Sequence, residues 1–556
     1  MTNSGRIRIG VLIAAIWFGL PGHASTEIID AIESYSEPRK AEQGHSVQFN
    51  LEQLNLEQLN PEQVSPNPTH LNSGISDLIN SKPQIDLTQI VDELKQRWDT
   101  DQVPSGGLSI VVGDKVSTLH LGKQEEGVFE LASTSKAFTG LLIALLEQEG
   151  VLNRLDSITH WIPELAEDPE MGYSAIRIQN LLFHNSGISR DTLDLLQPNN
   201  NPNALSQLPE LLKDVPLAYP VGTYEEYATL NYSLLGLAAE RATGRSFATL
   251  LREKIFLPLG MKHTMVEGSS SIENALMRMP SLARIPGYKI SFTAALSYDA
   301  PRYWQNTPAG YVLSTPQDMA VWLQFLLHRL PVNQEDKSLS VLYGALEQAK
   351  CPYAEDGSEG YAYGWDVETD NVLDYKRTHW SHPGQNPNSA AYVAFDPESG
   401  VGIALLGNSN SPQVIELGQS IFKYLRGVSP QILPENFSID MNDWVFSVMA
   451  AIFWLSGVPF LLAVIYKSGR KHLGNDFLIK YLFTYFIVLN VPLIVLLAIV
   501  PRFLLGLGWS NLLVWGPLSL PVAAVGLIFF VNTLILYFFL LVKSNSSSLS
   551  VKGNEL

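Results

Sequence analysis

Three long apolar runs near the carboxyl end constrain the fold most strongly, because they divide the chain into a water-soluble part and a membrane part. Residues 444–466 carry no charged side chain, residues 481–500 form a second such run, and residues 512–542 hold a third that two prolines interrupt. A helix needs about 20 apolar residues to cross a bilayer. The sequence therefore predicts three transmembrane helices within residues 443–543.

The charges beside these runs predict how they are oriented. The loop between the first two runs contains four basic residues, whereas the loop between the second and third contains only Arg502. Cytoplasmic loops carry an excess of lysine and arginine. We therefore expect the soluble domain and a linker over residues 427–442 on the outer side, and a tail over residues 544–556 in the cytoplasm.

The amino end carries an export signal. Two arginines precede an apolar run over residues 9–20, and small residues surround Ala24. This order is typical of a secretory signal peptide, here over residues 1–24. Residues 25–84 are polar and contain Leu-Glu-Gln-Leu-Asn twice in succession, which predicts a linker or pro-segment. The signal peptide and the charge bias of the apolar runs agree on the outer location of the domain.

Composition excludes two classes of protein. The chain has 55 acidic and 37 basic residues, a formal net charge of -18, and no basic patch interleaved with aromatic residues, so we expect no nucleic-acid partner. Cys351 is the only cysteine, which excludes an internal disulfide and a cysteine-rich metal site.

Strand patterns lie at both ends of the region over residues 85–426. Residues 108–112 and 116–121 are typical of one hairpin, and residues 390–395 and 401–406 of another. Helical spacing recurs over residues 87–98, 234–242, 247–255, 319–330 and 413–425. The fold predicted is α+β, with an antiparallel sheet flanked by helices and a helical subdomain inserted between the two ends of the sheet.

Ser133 is the candidate nucleophile. Lys136 follows it by three residues, at the start of an apolar helix that ends near Gly150, so the lysine amine and the serine hydroxyl are expected on one helix face. The same Ser-x-x-Lys pattern recurs at Ser420 and at Ser468. Those two copies lie in an amphipathic helix and a basic loop, so partner motifs must decide between them.

Two further motifs supply those partners. Tyr227 precedes a helical pattern, and its hydroxyl is a candidate for proton transfer. His382, Pro383 and Gly384 precede the strand pattern near Ala390. In this order the motifs resemble the serine β-lactamase and penicillin-recognising peptidase superfamily, specifically its class C-like branch, over the whole soluble domain.

The resemblance implies a role for each matched residue. Ser133, Lys136 and Tyr227 would be catalytic, and the backbone amides of Ser133 and Gln385 would form the oxyanion hole. The residues expected to bind substrate are Thr229, His382 and Gly384. No metal or other cofactor is implied. His184, which stands in the stretch Leu-Leu-Phe-His-Asn-Ser-Gly, is interpreted as a hydrogen-bonding loop residue.

One departure from the family pattern bears on the substrate. Most of this branch has asparagine where this chain has Thr229, so a side-chain amide is replaced by a hydroxyl. Together with the trailing apolar runs, this is similar to the membrane-bound prodrug-activating peptidases of nonribosomal peptide pathways, such as the colibactin-activating peptidase. These enzymes remove an N-acyl-D-asparagine cap in the periplasm.

Other interpretations stay open at this point. One is a D-alanyl-D-alanine carboxypeptidase or β-lactamase-like cell-wall hydrolase, and another is a penicillin-binding sensor. For the prodrug-activating peptidase we expect a lipidated small-molecule or peptide substrate, and a catalytic domain on the periplasmic side of a bacterial inner membrane. The sequence leaves open a partner exporter and a homodimer.

Overall fold

A computed structural model describes most of the chain. It covers residues 39–40, 87–123, 126–268, 283–331, 337–351, 359–372, 375–436, 440–469, 488, 490–499 and 508–552. The predicted signal peptide lies outside the described residues, as does the predicted linker over residues 25–84 except for one short strand.

The centre of the soluble domain is a seven-stranded antiparallel sheet, and the two ends of the domain meet in its middle. The strand order is β10-β11-β12-β13-β14-β2-β3. These strands are β2 Ser105–Val112, β3 Lys115–Gly122, β10 Gly360–Ala362, β11 Trp365–Val372, β12 Tyr375–Asn386, β13 Ser389–Asp396 and β14 Val401–Gly407. Both predicted hairpins are confirmed, and β14 pairs with β2 in the register Ile403 to Ile110.

Short strands complete the domain. They are β1 Arg39–Lys40, β4 Phe129–Glu130, β5 Tyr224–Glu225, β6 Met265–Val266, β7 Tyr288–Ser291, β8 Ala294–Ser297 and β9 Val312–Ser314. β4 and β6 flank β9 in a three-stranded sheet, β7 and β8 form a hairpin, and β1 pairs with β5. The last pairing places part of the amino-terminal segment beside the strand that precedes Tyr227.

Helices cover both faces of the central sheet. The described α-helices of the soluble domain are α1 Leu87–Arg97, α2 Lys136–Gln148, α3 Ile158–Trp161, α4 Ile178–Leu182, α5 Leu208–Leu212, α6 Thr229–Thr243, α7 Phe247–Leu251, α8 Leu257–Leu259, α9 Thr307–Gly310, α10 Pro316–Leu326, α11 Ser338–Ala349 and α12 Gln413–Leu425. The predicted α+β architecture is therefore confirmed, although the pattern over residues 247–255 is split by a π-helical turn at Arg252–Phe256.

Side-chain alternation along β13 separates the two cores. Tyr392 and Ala394 pack with α1 and α12 on one face, whereas Val393 and Phe395 pack with α2 and α10 on the other. All eight residues of β13 are buried. A strand covered on both faces carries apolar residues almost continuously, which explains why β13 lacks a polar face.

Two glycines let α2 lie unusually close to the turn between β10 and β11. A Cβ at Gly140 would lie 1.8 Å from the carbonyl oxygen of Tyr363, and one at Gly364 would lie 2.5 Å from the amide nitrogen of Ala137. Gly364 also has a φ of +98°, which favours glycine. This approach brings the first turn of α2, which contains Lys136, against the sheet.

Two helices, not the three predicted, are long and apolar enough to cross a membrane among the residues that the structure describes. They are Met441–Tyr466, within α13 Met441–Gly469, and Ser519–Leu541, within α16 Ser519–Lys552. Of the second predicted run, the structure describes only residues 488 and 490–499, which include the apolar helix α14 Asn490–Ile499.

The third predicted run also begins later than expected. A separate helix, α15 Trp509–Trp515, precedes it and ends at Gly516, after which Pro517 stands just before α16. Helix α16 continues to Lys552, so the described part of the predicted tail is helical.

α13 and α16 pack side by side and run in the same direction. The hydroxyl of Ser519 donates to Asp443 Oδ1 at 2.7 Å, and farther along the rings of Phe460 and Tyr537 lie 5.4 Å apart. Because the two helices are parallel, the chain between them returns to the side on which both begin. This is the side that contacts the soluble domain.

The close approach at Gly140 generates a stability prediction. We expect Gly140→Ala to lower the free energy of unfolding of the soluble domain by at least about 2 kcal/mol, because the added methyl group overlaps a backbone carbonyl that cannot swing away. The matched control is Gly344→Ala in α11, where the neighbour is the flexible end of Gln148 at 2.9 Å.

The control variant should be neutral or more stable by about 1 kcal/mol, since alanine is the better helix former. Thermal or denaturant unfolding of the two variants measures the difference. Equal stability of the two variants would contradict the packing described for Gly140.

Candidate active site

Ser133 lies on a strained turn that ends a short strand. After β4, Ala132 adopts a left-handed conformation with φ 49°, and Ala132–Ser135 form a 3-10 turn that leads directly into α2. The turn is held by Leu131, whose amide donates to Val312 O at 2.9 Å, and by Ser135, whose Oγ accepts from Val312 N at 3.0 Å. A non-glycine residue with positive φ persists only where its surroundings determine it, and such residues cluster at functional sites.

The amine of Lys136 is buried beside the Ser133 hydroxyl. Its Nζ lies 3.0 Å from Ser133 Oγ and donates to Ala309 O at 2.9 Å. The residue has no exposed surface. Burial lowers the pKa of Lys136 to about 7, although the charge of Asp366 acts in the opposite direction. Near neutral pH a large fraction of the amine is therefore unprotonated and able to accept a proton.

Tyr227 brings a phenol to the same serine. It lies between β5 and the start of α6 at Thr229, its ring lies 5.0 Å from Lys136 Nζ, and its phenol is near enough to Ser133 for the two side chains to interact. Although 40% of the residue is exposed, the hydroxyl end is enclosed, and this burial raises the pKa of Tyr227 above its usual value. The phenol is therefore protonated at neutral pH.

His184 packs against the ring of Tyr227 and hydrogen-bonds the residues that follow it. Its Nδ1 accepts from the amide of Ala228 at 3.3 Å and from Asn231 Nδ2 at 2.9 Å, so the ring proton is assigned to Nε2. The ring centroids of His184 and Tyr227 are 4.5 Å apart. Burial and the nearby Lys136 keep the pKa of His184 well below its usual value, and the ring is neutral. His184 therefore forms hydrogen bonds, as predicted, and it does so next to Tyr227.

Strand β12 forms the opposite wall. A Cβ at Gly384 would lie 2.6 Å from Leu131 O and 3.2 Å from Ser133 N, so only glycine lets the strand lie this close to the Ser133 turn. The sequence pattern predicted that the His-Pro-Gly motif precedes the strand near Ala390. The structure places the motif inside a strand of its own, β12 Tyr375–Asn386, because the chain continues in extended form until the turn at residues 387–388.

The register of β12 directs the Gln385 amide toward Ser133. Asn386 pairs with Ser389 across a two-residue turn, and such a turn closes on a hydrogen-bonded pair. Pairs alternate along an antiparallel ladder, so the amides of Gln385 and of position 383 point away from β13. Position 383 is Pro383, which has no amide proton to leave unpaired. On this edge β12 pairs with β11, but only as far as Ser381, because β11 begins at Trp365. The Gln385 amide lies beyond the end of that pairing and therefore faces the site.

His382 is held in a neutral form. Its Nδ1 lies 2.6 Å from Pro383 O, which can only accept, so Nδ1 carries the proton and Nε2 accepts from Tyr361 Oη at 2.9 Å. Burial, reinforced by the charge of Lys136, lowers the pKa of His382 to about 3. The position that carries a lysine or histidine in the resembled family therefore contributes no positive charge here.

The structure places Ser133, Lys136, Tyr227, His382 and Gly384 close to one another. Thr229 is the first residue of α6 and is partly exposed two positions after Tyr227, while His382 and Gly384 face the Ser133 turn from β12. Among the described residues there is no group of three or more His, Cys, Asp or Glu side chains suited to a metal ion.

Two residues contribute to the site although no sequence motif predicted them: Tyr361 in β10 and Asp366 in β11. Tyr361 bonds His382, and the carboxylate of Asp366 influences the pKa of both Lys136 and Tyr227. The stretch Gly-Tyr-Ala-Tyr-Gly-Trp-Asp is rich in aromatic residues and glycine. That composition was the available signal, but only the pairing of β11 with β12 brings it to the serine.

Comparison with known proteins identifies the family of this chain. The family described as Beta-lactamase matches residues 90–424. "Protein flp" of Staphylococcus aureus (strain MRSA252) is 27% identical over 425 residues, which cover 73% of this chain and 80% of that protein. The "Beta-lactamase" of Escherichia coli (strain K12) is 26% identical over 315 residues, covering 52% of this chain and 77% of that protein.

Solved structures share the fold. The octameric penicillin-binding protein homologue from Pyrococcus abyssi aligns with a TM-score of 0.51 at 22% identity, over 62% of this chain and 78% of that chain. A class C beta-lactamase aligns with a TM-score of 0.50 at 20% identity, over 63% of this chain and 99% of that chain. The Beta-lactamase family model covers more than half of the chain, so the chain belongs to the Beta-lactamase family of serine hydrolases.

The lowered pKa of Lys136 generates a prediction about the pH dependence of Ser133. We expect the rate at which a fluorophosphonate labels Ser133 to rise with pH through about 7 and to level off above pH 8. Only the unprotonated amine can accept the serine proton, and its fraction grows as pH passes the pKa of Lys136, about 7.

Labelling rates of the full-length protein between pH 5 and 9 measure this profile. Lys136→Met, which keeps the length of the side chain but cannot titrate, should label slowly and without the inflection near 7. A wild-type rate that is flat from pH 6 to 8 would contradict the proposed environment of Lys136.

Proposed function

We propose that the protein is a membrane-anchored serine peptidase that hydrolyses an amide bond through an acyl-enzyme on Ser133. Its substrate is proposed to be a nonribosomal peptide product whose amino end carries an N-acyl-D-asparagine cap, which the enzyme removes. The two long apolar helices that follow the catalytic domain support the anchoring. Export of the domain to the periplasmic side of the inner membrane is part of the same proposal.

Acylation begins with the unprotonated amine of Lys136. It accepts the proton of Ser133 Oγ, 3.0 Å away, as Oγ bonds to the substrate carbonyl carbon. The amide protons of Ser133 and Gln385 stabilise the negative charge that develops on the carbonyl oxygen. Tyr227, whose phenol is protonated and lies near Ser133, relays a proton to the leaving nitrogen. The carbon–nitrogen bond then breaks and the amine departs.

Deacylation reverses the proton transfers with water in place of the amine. Water attacks the ester carbonyl and passes a proton toward Tyr227 and Lys136, and Ser133 Oγ leaves with a proton returned from the same pair. Tyr227 has a raised pKa, so it serves as a relay while Lys136 acts as the base. The cycle needs no metal and leaves every group as it began.

The observation that carries the choice of substrate is the neutral state of His382. Peptides that end in D-alanyl-D-alanine, and penicillins, carry a free carboxylate near the bond that reacts, and a carboxylate is favoured by a nearby positive charge. His382 has a pKa of about 3 and lies beside Tyr361, while the charge of Asp366 reaches the same site. This environment favours an uncharged amide group such as the side chain of asparagine.

A substrate panel tests the proposal. Full-length protein in lipid nanodiscs and its Ser133→Ala variant would be incubated with an N-myristoyl-D-asparaginyl amide, its L-asparaginyl counterpart and a D-alanyl-D-alanine peptide, with products followed by mass spectrometry. We expect cleavage of the D-asparaginyl amide alone. The Ser133→Ala variant should lose at least about 10³-fold in kcat/KM, since the nucleophile is removed.

Each other result would redirect the assignment. Cleavage of the D-alanyl-D-alanine peptide instead would indicate a cell-wall hydrolase. Stable acylation by benzylpenicillin without product would indicate a penicillin-binding sensor. Full turnover by Ser133→Ala would overturn the acyl-enzyme mechanism itself.

The hydroxyl at Thr229 generates a separate prediction. We expect Thr229→Asn to raise the rate at which benzylpenicillin acylates Ser133 by about fivefold, because the added amide donates one hydrogen bond, worth about 1 kcal/mol, to the bound amide. Thr229→Val, which has the same shape as threonine but no hydroxyl, is the matched control and should not gain. Intact-protein mass spectrometry measures the rates, and equal rates in both variants would contradict a substrate-facing role for Thr229.

A further inference from the structure

A buried carboxylate joins the catalytic domain to the start of a membrane helix. Asp443, in the first turn of α13, has no exposed surface and accepts from the amides of Phe292 at 2.9 Å and Thr293 at 2.6 Å. It also accepts from Ser519 Oγ at 2.7 Å, at the first residue of α16. One side chain thus connects the tip of the β7–β8 hairpin with the beginnings of both long apolar helices.

The tip of this hairpin is strained without such a partner. Phe292 and Thr293 have φ values of 54° and 63°, as a two-residue turn of this type requires, but the turn normally uses asparagine and glycine. A β-branched residue at positive φ is an outlier. Successive amides in this conformation point the same way and form a small anion-binding nest, which Asp443 fills. The carboxylate therefore compensates for the unfavourable turn residues.

Helix α15 makes further contacts between the membrane segments and the catalytic domain. On the sheet side, the buried Lys289 of β7 donates to Leu513 O at 3.0 Å. On the helical side, Asp194 accepts from the amide of Gly508 at 3.2 Å and from the side chain of Asn511. Asp194 belongs to the 3-10 segment Arg190–Leu195, whose first amide donates to Glu226 beside Tyr227. One short helix thus contacts both the β7–β8 hairpin and the 3-10 segment that bonds to Glu226 beside Tyr227.

Hydrogen bonds through Asn410 link the β7–β8 hairpin to β12, the strand that carries the Gln385 amide. Asn410 accepts from the amide of Ile290 through its side chain at 2.7 Å and accepts from Gln385 Nε2 through its carbonyl at 2.8 Å. A Cβ at Gly287 would lie 2.2 Å from Asn388 Nδ2, in the turn after Gln385. These contacts form a route by which a shift of the hairpin would reach Gln385.

We infer that Asp443 is a positioning residue for the Ser133 reaction, which acts by holding the β7–β8 hairpin and, through it, the Gln385 amide against Ser133. The membrane helices then contribute to catalysis as a scaffold as well as an anchor. The inference rests on the proposed role of Ser133 as nucleophile. It does not depend on which amide is the natural substrate.

The test compares two substitutions one turn apart in the full-length protein in nanodiscs. Asp443→Asn keeps the size of the side chain but turns an amide donor toward amides that need an acceptor. Asp440→Asn, the matched control, removes the same charge from a residue whose carboxylate accepts from the amide of Asp443 in its own turn at 3.1 Å. The two measurements are fluorophosphonate labelling of Ser133 and hydrogen exchange followed by mass spectrometry.

We expect Asp443→Asn to slow labelling on the order of tenfold, because a small displacement of an oxyanion donor weakens transition-state stabilisation. Hydrogen exchange should rise both in residues 288–297 and in the segment around Gln385. Asp440→Asn should match the wild type in both measurements. Thermal unfolding of both variants near the wild-type temperature would show that the domain remains folded.

Two results would overturn the inference. One is wild-type labelling in Asp443→Asn. The other is faster exchange confined to residues 288–297, which would show that the hairpin moves without Gln385. A wild-type protein that labels well but leaves the D-asparaginyl amide intact would reject the proposed substrate and leave this test valid. If the wild type fails to label at all, the role of Ser133 fails, and the exchange measurement alone decides whether the hairpin and the strand are coupled.

Discussion

The burial of one amine beside one hydroxyl is the interaction on which the rest of the site depends. Lys136 has no exposed surface and lies 3.0 Å from Ser133 Oγ. A lysine in water is protonated at neutral pH and cannot act as a base, so its burial is what creates the reactive pair. Such burial requires that the surrounding groups accept the amine, and Ala309 O does so at 2.9 Å.

The close packing of backbone on backbone explains how that burial is achieved. Gly140 and Gly364 bring α2 against the sheet, and Gly384 brings β12 against the Ser133 turn. Each contact is closer than any residue with a Cβ would allow. The helix that presents Lys136 and the strand that presents the Gln385 amide therefore meet at the serine, and the aromatic residues around them exclude water.

Contacts with the apolar helices near the carboxyl end are part of this architecture. Asp443 holds the hairpin tip, and α15 contacts the helical side through Asp194 and the sheet side through Lys289. In each case a charged group finds its partners in a different part of the chain.

The sequence by itself determined the α+β class, both hairpins and the terminal strands that meet in the sheet, because these follow from local periodicity. The residues around Ser133 were predicted from three short motifs and the family that these motifs resemble, without Tyr361 and Asp366. The sequence predicted three spans from apolar length, whereas two of the described helices meet that criterion, and the second predicted run is described only at residues 488 and 490–499. Only the tertiary structure decided the neutral state of His382, the contributions of Tyr361 and Asp366, and the partners of Asp443. Those features depend on burial and on contacts between segments far apart in the chain, for which no local pattern exists.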